Sequence, residues 1–396
     1  MRASGRKKIL SVILSLMVVA SLAIALVPGT ASAAVTVQAV PRMVSIWGLG
    51  LFPDPGFSTG PDHSTLIVTA PAPPAAAPTL DFRAVFNKLF PTAASRVTLF
   101  PSAVQSAYNA RMTAWSAIPF TWDAGIGAWR HDLGAEMPFT APNAMLKAVA
   151  GSVLFQEAVL GDVTVPIKVG ATTYTTKVSI VDMQRPLQPG WNGVSTPAYL
   201  GINRWASIAA LGDGLDADAA VKWDPTSQTW KNVSASNTVN PVEVVYVHAT
   251  RFTAMGFVFS RSSMPPASYH VHSNPAKGGF NLVGAAVVRG KTSGGADSYF
   301  EMPVDQLMSS ISGVYTAVLS PGQSFAYTQT FKDAGGDDID TYDWSFNQAS
   351  WVYAAGAASA PQATVGGAYW VNVNASDTLV GFSQTPVDVI EWDPFP

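Results

Sequence analysis

The sequence predicts a β-rich α+β fold, built from tandem small strand–helix–hairpin–strand modules with mainly antiparallel sheets. Three observations predict it. Charged residues make up only 12% of the 396, against 48% hydrophobic and 11% aromatic. An average soluble chain carries about 25% charged residues, so this composition, with its 32 Gly and 29 Pro, favours turn-rich sheets over long helical bundles. Short apolar runs alternate and are bounded by Gly, Pro, Asn or Asp, as half-buried strands are. Lastly, one aromatic hairpin pattern recurs along the chain.

The elements follow in order. Arg2, Arg6, Lys7 and Lys8 precede an apolar run over 9–27, and Ala31-Ser32-Ala33 follows it. Positive, apolar and small residues in that order predict an export signal over residues 1–33, cut between Ala33 and Ala34. The run is nearly long enough to span a bilayer, but Pro28-Gly29 and the small residues beyond it favour cleavage. The expected location is extracellular or on the cell surface, with membrane met only through that segment before cleavage. Its removal leaves 19 basic residues against 26 acidic, a net charge of −7. Nucleic acid is excluded as a partner, because phosphate binding needs basic clusters. The absence of cysteine excludes disulfides, thiolate metal sites and a lipidated cysteine anchor.

Residues 34–80 read as an extended segment ending in the Pro/Ala-rich linker "TAPAPPAAAPT" (69–79), which favours polyproline geometry. Residues 81–184 read as a helical plus β region. Asp81 caps a helix whose Phe82, Val85, Phe86, Leu89 and Phe90 share one face, and Pro91 ends it. A second helix over 102–116 aligns Val104, Tyr108, Met112 and Trp115. "DVTVPIKVGATTYTTKVSIVD" (162–182) alternates as two strands turning at Gly170.

The repeat comes next. Trp122-Asp123 is followed by Trp129, Trp223-Asp224 by Trp230, and Trp344, preceded by Asp343, by Trp351. Each pair is seven residues apart. "PGWNGVSTPA" (189–198) matches "GGFNLVGAA" (278–286). Helical patterns follow in "NRWASIAAL" and "MPVDQLMSSI", and aromatic strands close the units in "PVEVVYVHA" and "GGAYWVNVN". The predicted units are 185–262 (module 1) and 263–396 (module 2, with an insertion). Residues 81–133 are at best a third, degenerate copy.

The order Gly-Trp-Asn, apolar strand, helix, Trp-Asp…Trp hairpin and Gly-x-Tyr-Trp-Val strand resembles the GWNLISLP-type repeat module of secreted and cell-surface bacterial and archaeal proteins. The first copy keeps Gly190, Trp191, Asn192, Val194, Ser195 and Pro197 but lacks the Gly-Tyr-Trp end. The second keeps Gly367, Tyr369, Trp370 and Val371 but has Gly279-Phe280-Asn281 at its start. The resemblance implies surface location and structural or interaction work, and no catalytic residues.

Several residues are candidates for chemistry. If Asp224 pairs with Thr229, Trp223 faces Trp230 across a hairpin. Such a pair is either a sugar-stacking platform or a buried clasp under the module's helix. Its recurrence favours the clasp. Asp333, Asp337, Asp338, Asp340 and Asp343 crowd a Gly-rich stretch, the oxygen-rich setting that calcium takes, although the EF-hand ligand order is missing. Asp213, Asp216 and Asp218 form a weaker version. His270 and His272 share a side of a strand, but two histidines alone are an incomplete metal site; no third ligand is identifiable, although His248 and Glu243 are available. Gly290-Lys291-Thr292 lies one residue out of phosphate-loop spacing and precedes a Gly-Gly turn, not a helix. No His-Glu-x-x-His helix occurs.

The expected function is non-catalytic: an envelope lattice, adhesion or matrix contact, through cell-envelope components, glycans or self-association. No cofactor is expected, calcium apart. The alternative is a carbohydrate-binding protein using exposed Trp pairs. A further alternative is an extracellular glycan hydrolase whose carboxylate pair is distant in sequence.

Overall fold

The computed structural model describes residues 34–46, 64–70, 76–134, 157–286, 290–291, 297–298, 301–332, 338–382 and 385. The expected export segment and Ala33 lie outside them. Among the described residues no helix is long and apolar enough to cross a membrane.

The first part contains β1 (Thr36–Val40), β2 (Met43–Ser45), β3 (Ser64–Thr69) and β4 (Thr79–Leu80). It continues with helices α1 (Phe82–Leu89), α2 (Ala93–Val97) and α3 (Ser102–Ala114). Strands β5 (Ile118–Pro119), β6 (Thr121–Asp123), β7 (Ala128–Leu133), β8 (Gly161–Val169), β9 (Thr172–Val181) and β10 (Met183–Leu187) follow. The Asp81 carboxylate accepts from the Arg83 N–H and so caps α1. Phe82, Val85, Phe86 and Leu89 are buried, and the face predicted for α3 packs Tyr108 and Trp115 against Phe86. Two sheets form here, β1-β3-β7-β6 and β2-β9-β8-β4-β5. β2–β9 is a parallel pair, whereas the other ladders are antiparallel.

The second part contains β11 (Gly190–Ser195), α4 (Trp205–Ala209), β12 (Ala217–Asp224), β13 (Thr229–Asn232), β14 (Val244–Ala249) and β15 (Thr253–Phe257). The third contains β16 (Ser268–Val271), β17 (Phe280–Gly284), β18 (Gly290–Lys291), β19 (Asp297–Ser298) and β20 (Glu301–Pro303). After α5 (Val304–Leu307) come β21 (Tyr315–Ser320), β22 (Gln323–Lys332), β23 (Asp338–Gln348), β24 (Trp351–Ala354), β25 (Gln362–Thr364), β26 (Ala368–Val373) and β27 (Asp377–Val380).

One sheet runs β11-β14-β12-β13 and another β17-β26-β21-β24. With each sheet's strands numbered by chain order, both read first, fourth, second, third. The registers agree residue by residue. Tyr246 lies between Gly193 and Val221, as Trp370 lies between Leu282 and Leu319. The second strand bulges at the same place in each, between Ala217 and Ala219 and between Tyr315 and Ala317. Gly190-Trp191-Asn192 therefore corresponds to Gly279-Phe280-Asn281. The buried Asn does the same work in both. Asn192 Nδ2–H donates to the Gln188 and Gly190 carbonyls, and its Oδ1 accepts from the Gln188 N–H. Asn281 holds His272 and Gly279 in the same way. Each side chain substitutes for a ladder where the chain enters its sheet.

The N-terminal hairpin differs. β6–β7 joins its sheet through β7, its second strand, whereas the module hairpin joins through its first. The expected third copy is not built in the module's order.

The two module sheets meet face to face. Val245 and Val247, like Tyr369 and Val371, enter the main core with Ile208, Leu307 and Ile311. The opposite faces join in a second cluster of Val244, Leu282 and Ala368, packed by Trp223, Tyr246 and Trp370. The contact is pseudo-symmetric. The Ser195 N–H donates to the Gly366 carbonyl and the Gly284 N–H to that of Val242. Ser195 corresponds to Gly284, and Val242 to Gly366. Val242 and Gly366 share the left-handed backbone, with φ of 68° and 72°. For a β-branched residue that conformation is strained, costing about 1–3 kcal/mol. It persists because it aims a carbonyl across the interface.

Candidate functional site

The Trp hairpin of module 1 stands at this junction. Trp223 is opposite Trp230 and Asp224 opposite Thr229, the register expected from the sequence. The indoles meet edge to face at 5.2 Å. Asp224 closes the loop, accepting from the Thr226 and Ser227 N–H groups and the Ser227 hydroxyl and pairing with the Lys231 ammonium. Lys231 first, then Ser227, holds its carboxyl well below the usual carboxylate range.

The clasp does not form under the module's own helix. Trp223 and Trp230 project from the sheet face opposite α4, and that face is the junction. The Trp223 Nε1–H donates to the Phe280 carbonyl at 2.9 Å. Gln228, itself at φ 54°, grips the same residue twice: Nε2–H donates to the Phe280 carbonyl at 2.8 Å and Oε1 accepts its N–H at 3.1 Å. Lys277 Nζ donates to the Ser227 carbonyl at 3.1 Å. The hairpin therefore ties module 1 to β17 of module 2.

An aromatic seam grows around it. Trp370 lies 5.2 Å from Trp223 and 5.8 Å from Trp230, Trp230 lies 5.1 Å from Tyr246, and Phe280 flanks Trp370 at 6.5 Å. Burial pushes the Tyr246 phenol up, so it stays neutral. The seam is not closed over. Trp230 is 43% exposed, Phe280 45% and Trp191 50%. Trp191 contacts the ring of His248 at 5.0 Å, and His248 Nδ1 lies 2.7 Å from an Asp218 carboxylate oxygen. Pairing Trp223 with Trp230 in the sequence did not reveal Tyr246, Trp370, Phe280 or Gln228 as their partners. The usable signal was alternation: Tyr246 and Trp370 point away from the core-facing valines on either side.

The N-terminal hairpin places Trp122 opposite Trp129, edge to face at 5.4 Å. Trp122 is exposed and Trp129 half-buried. A cavity of about 380 Å³ opens beside Trp122, lined by Thr121, Asp123, Ala124, Arg130, His131 and Asp132. The Arg130 guanidinium donates to Asp123 at 3.1 Å and lowers its carboxyl pKa.

The third Trp pair is not a hairpin pair. Trp344 lies on β23 opposite Tyr327, and Trp351 on β24 opposite Ser320. The β22–β23 hairpin is inserted where module 1 has its tight loop. It moves Trp351 to the position of Lys231, and Trp351 stacks on Tyr369 at 5.6 Å instead.

The acidic stretch also differs from expectation. Asp333 and Asp337 lie outside the described residues. Asp338, Asp340 and Asp343 are on strand β23, opposite Lys332, Thr330 and Thr328, and not on a turn. At about 3.3 Å per residue, Asp338 and Asp343 stand roughly 16 Å apart along the strand, too far to share one ion. Asp216 pairs with Arg251 and Asp218 with His248. The rings of His270 and His272 meet at 4.6 Å. The further ligands suggested for them are engaged elsewhere, His248 by Asp218 and Glu243 by Lys222. Among the described residues no group of three or more metal-ligating side chains is placed to hold an ion.

No family model, curated protein or solved structure matches this chain.

Proposed function

We propose that this chain is an exported, non-catalytic interaction protein of the cell surface or envelope, built on two copies of a GWNLISLP-like module. One observation carries the reading: the copies lock face to face into one body, yet Trp230 and Phe280 stay at the surface of the aromatic seam and Trp191 is exposed beside His248. Aromatic side chains offer large contact area at little entropic cost and are enriched at protein interfaces. Low charge and absent cysteine fit a body stabilised by packing and not by cross-links. The test compares the exported chain with a Trp191→Ser, Trp230→Ser, Phe280→Ser variant in sedimentation velocity and in binding to isolated envelopes. Self-association or envelope retention is expected for the parent and is lost in the variant. A parent that stays monomeric and binds no envelope fraction overturns the reading.

A second reading, glycan binding, is favoured by Trp122, an indole 39% exposed on the β6–β7 hairpin.

A further inference from the structure

We infer that β24 is the surface through which two copies of this chain pair, edge to edge and antiparallel, about a two-fold axis at Val352. The inference goes beyond the envelope reading and takes a surface other than the aromatic seam.

The sheet β17-β26-β21-β24 has two edges, and the chain treats them differently. The Val373 N–H donates to the Gly279 carbonyl. Bonded pairs alternate along an antiparallel ladder, so Phe280, one residue on, turns its N–H and carbonyl away from β26. Gln228 and Trp223 take those outward groups and so close the β17 edge. On the other edge the Ala355 N–H donates to the Thr316 carbonyl. The same alternation gives Tyr353 and Trp351 to β21 and turns the N–H and carbonyl of Val352 outward. Among the described residues no strand lies beyond β24, and Val352 is 71% exposed.

The side chains there lack what keeps an edge apart. Charges on an edge strand, lysine above all, oppose pairing with a second chain. Module 1 has them, because its edge strand β13 carries Lys231 opposite Lys222. The corresponding residues of module 2 are Trp351 and Ser320, and Val352 stands where module 1 has Asn232. No Asp, Glu, Lys or Arg occurs over 306–331 or 344–376, the stretches that hold β21, β24 and β26. Module 1 packs on Leu282, Ala368 and Trp370 and leaves Leu319, directly opposite Val352, 37% exposed.

A second copy fits this edge. Two neutral strands do not repel, whereas like charges set opposite each other would. The edge is also self-complementary. With Val352 opposite its own counterpart, the two residues exchange both backbone bonds. Each Ala354 N–H then meets the partner subunit's Ser350 carbonyl. The Ala354 carbonyl accepts from the Ala357 N–H and is not needed. Val352 and Leu319 of both copies share one face of the continuous sheet and cover one another.

The experiment measures sedimentation velocity of the exported chain over a dilution series. A dimer with a dissociation constant on the order of 10 μM is expected. Val352→Lys, a change at an exposed site, should weaken it at least tenfold. The chain has no cysteine, so Val352→Cys reports the pairing directly. Bonded partners sit with Cα atoms about 5.5 Å apart, within disulfide reach, and mild oxidation should give a covalent dimer. Asn232→Cys, at the matching place on β13, should give none. The Trp191→Ser, Trp230→Ser, Phe280→Ser variant should stay dimeric and lose only larger assemblies or envelope retention. A dimer that survives Val352→Lys and does not cross-link through Val352→Cys overturns the inference. A monomeric parent overturns it as well, including one that binds an envelope protein through β24 instead. The envelope reading then still stands if the parent binds envelopes.

Discussion

Ser195 and Gly284 hold the same position in the two module sheets, and they touch each other. A Cβ built on Gly284 would lie 2.3 Å from the Ser195 Cβ and 2.6 Å from its Oγ. A residue that contacts its own counterpart marks a pseudo-two-fold axis, and here the axis leaves room for one side chain, not two. The Ser195 hydroxyl uses that room to donate to the Gly367 carbonyl at 2.9 Å.

Gly284→Ala should therefore destabilise the protein by about 1–3 kcal/mol through overpacking, read as a lower urea midpoint at unchanged slope. Ser195→Gly should restore part of that loss when combined with it, because it vacates the contested volume. Additive losses in the double variant would show that the two positions do not compete.

Asn192 and Asn281 are each buried and each satisfy three backbone groups. Asn281→Ala should cost about 2–4 kcal/mol, since it removes the bonds and strands the His272 N–H and carbonyl. Asn192→Ala should cost a similar amount. Hydrogen exchange should locate the loss: amides at Gln188 and His272 lose protection in the respective variants while those of β14 and β26 keep theirs.

Asp224 makes the hairpin acid-sensitive. Its folded-state pKa is depressed below the unfolded value near 3.8, so its contribution is fully present above that value. The contribution is lost as pH falls through the folded-state value. Between neutral pH and about pH 5 the seam should not respond. Only well below pH 4, as the pH approaches that depressed value, should the fluorescence of Trp223 and Trp230 change before global unfolding. Asp224→Asn should remove that early phase. An unchanged acid profile in the variant would place the sensitivity elsewhere.

What the sequence disclosed depends on the range of the interaction involved. The Trp223–Trp230 register was legible because two strands, an Asp-Pro and a short polar loop fix it locally. The Gly-Trp-Asn and Gly-Phe-Asn match was legible because it is written twice. The destination of the hairpin was not, because the Phe280 backbone that receives it lies 57 residues from Trp223 and a backbone carbonyl has no residue code. Trp344 misled for a related reason. Seven-residue spacing to Trp351 imitates the tight hairpin, while the β22–β23 insertion separates them into different ladders. The Asp338–Asp343 acids misled because composition suggested a turn, whereas Ile339, Thr341 and Tyr342 among them supply strand propensity.

The hairpin itself yields the last prediction. Trp223 and Gln228 both donate to the Phe280 carbonyl. Trp223→Phe keeps an aromatic ring in the seam and removes one donor, so it should cost about 1 kcal/mol. Gln228→Ala removes the other donor and the acceptor for the Phe280 N–H, and relieves no left-handed strain, since alanine tolerates φ 54° no better. It should cost about 1–2 kcal/mol. Either single change leaves the carbonyl one partner, whereas the double change leaves it bare. The double variant should therefore lose more than the sum of the singles, with a coupling of about 0.5–1 kcal/mol from a double-mutant cycle in urea. A coupling of zero would mean that solvent reaches the Phe280 carbonyl freely, and that the hairpin rests on module 2 without holding it.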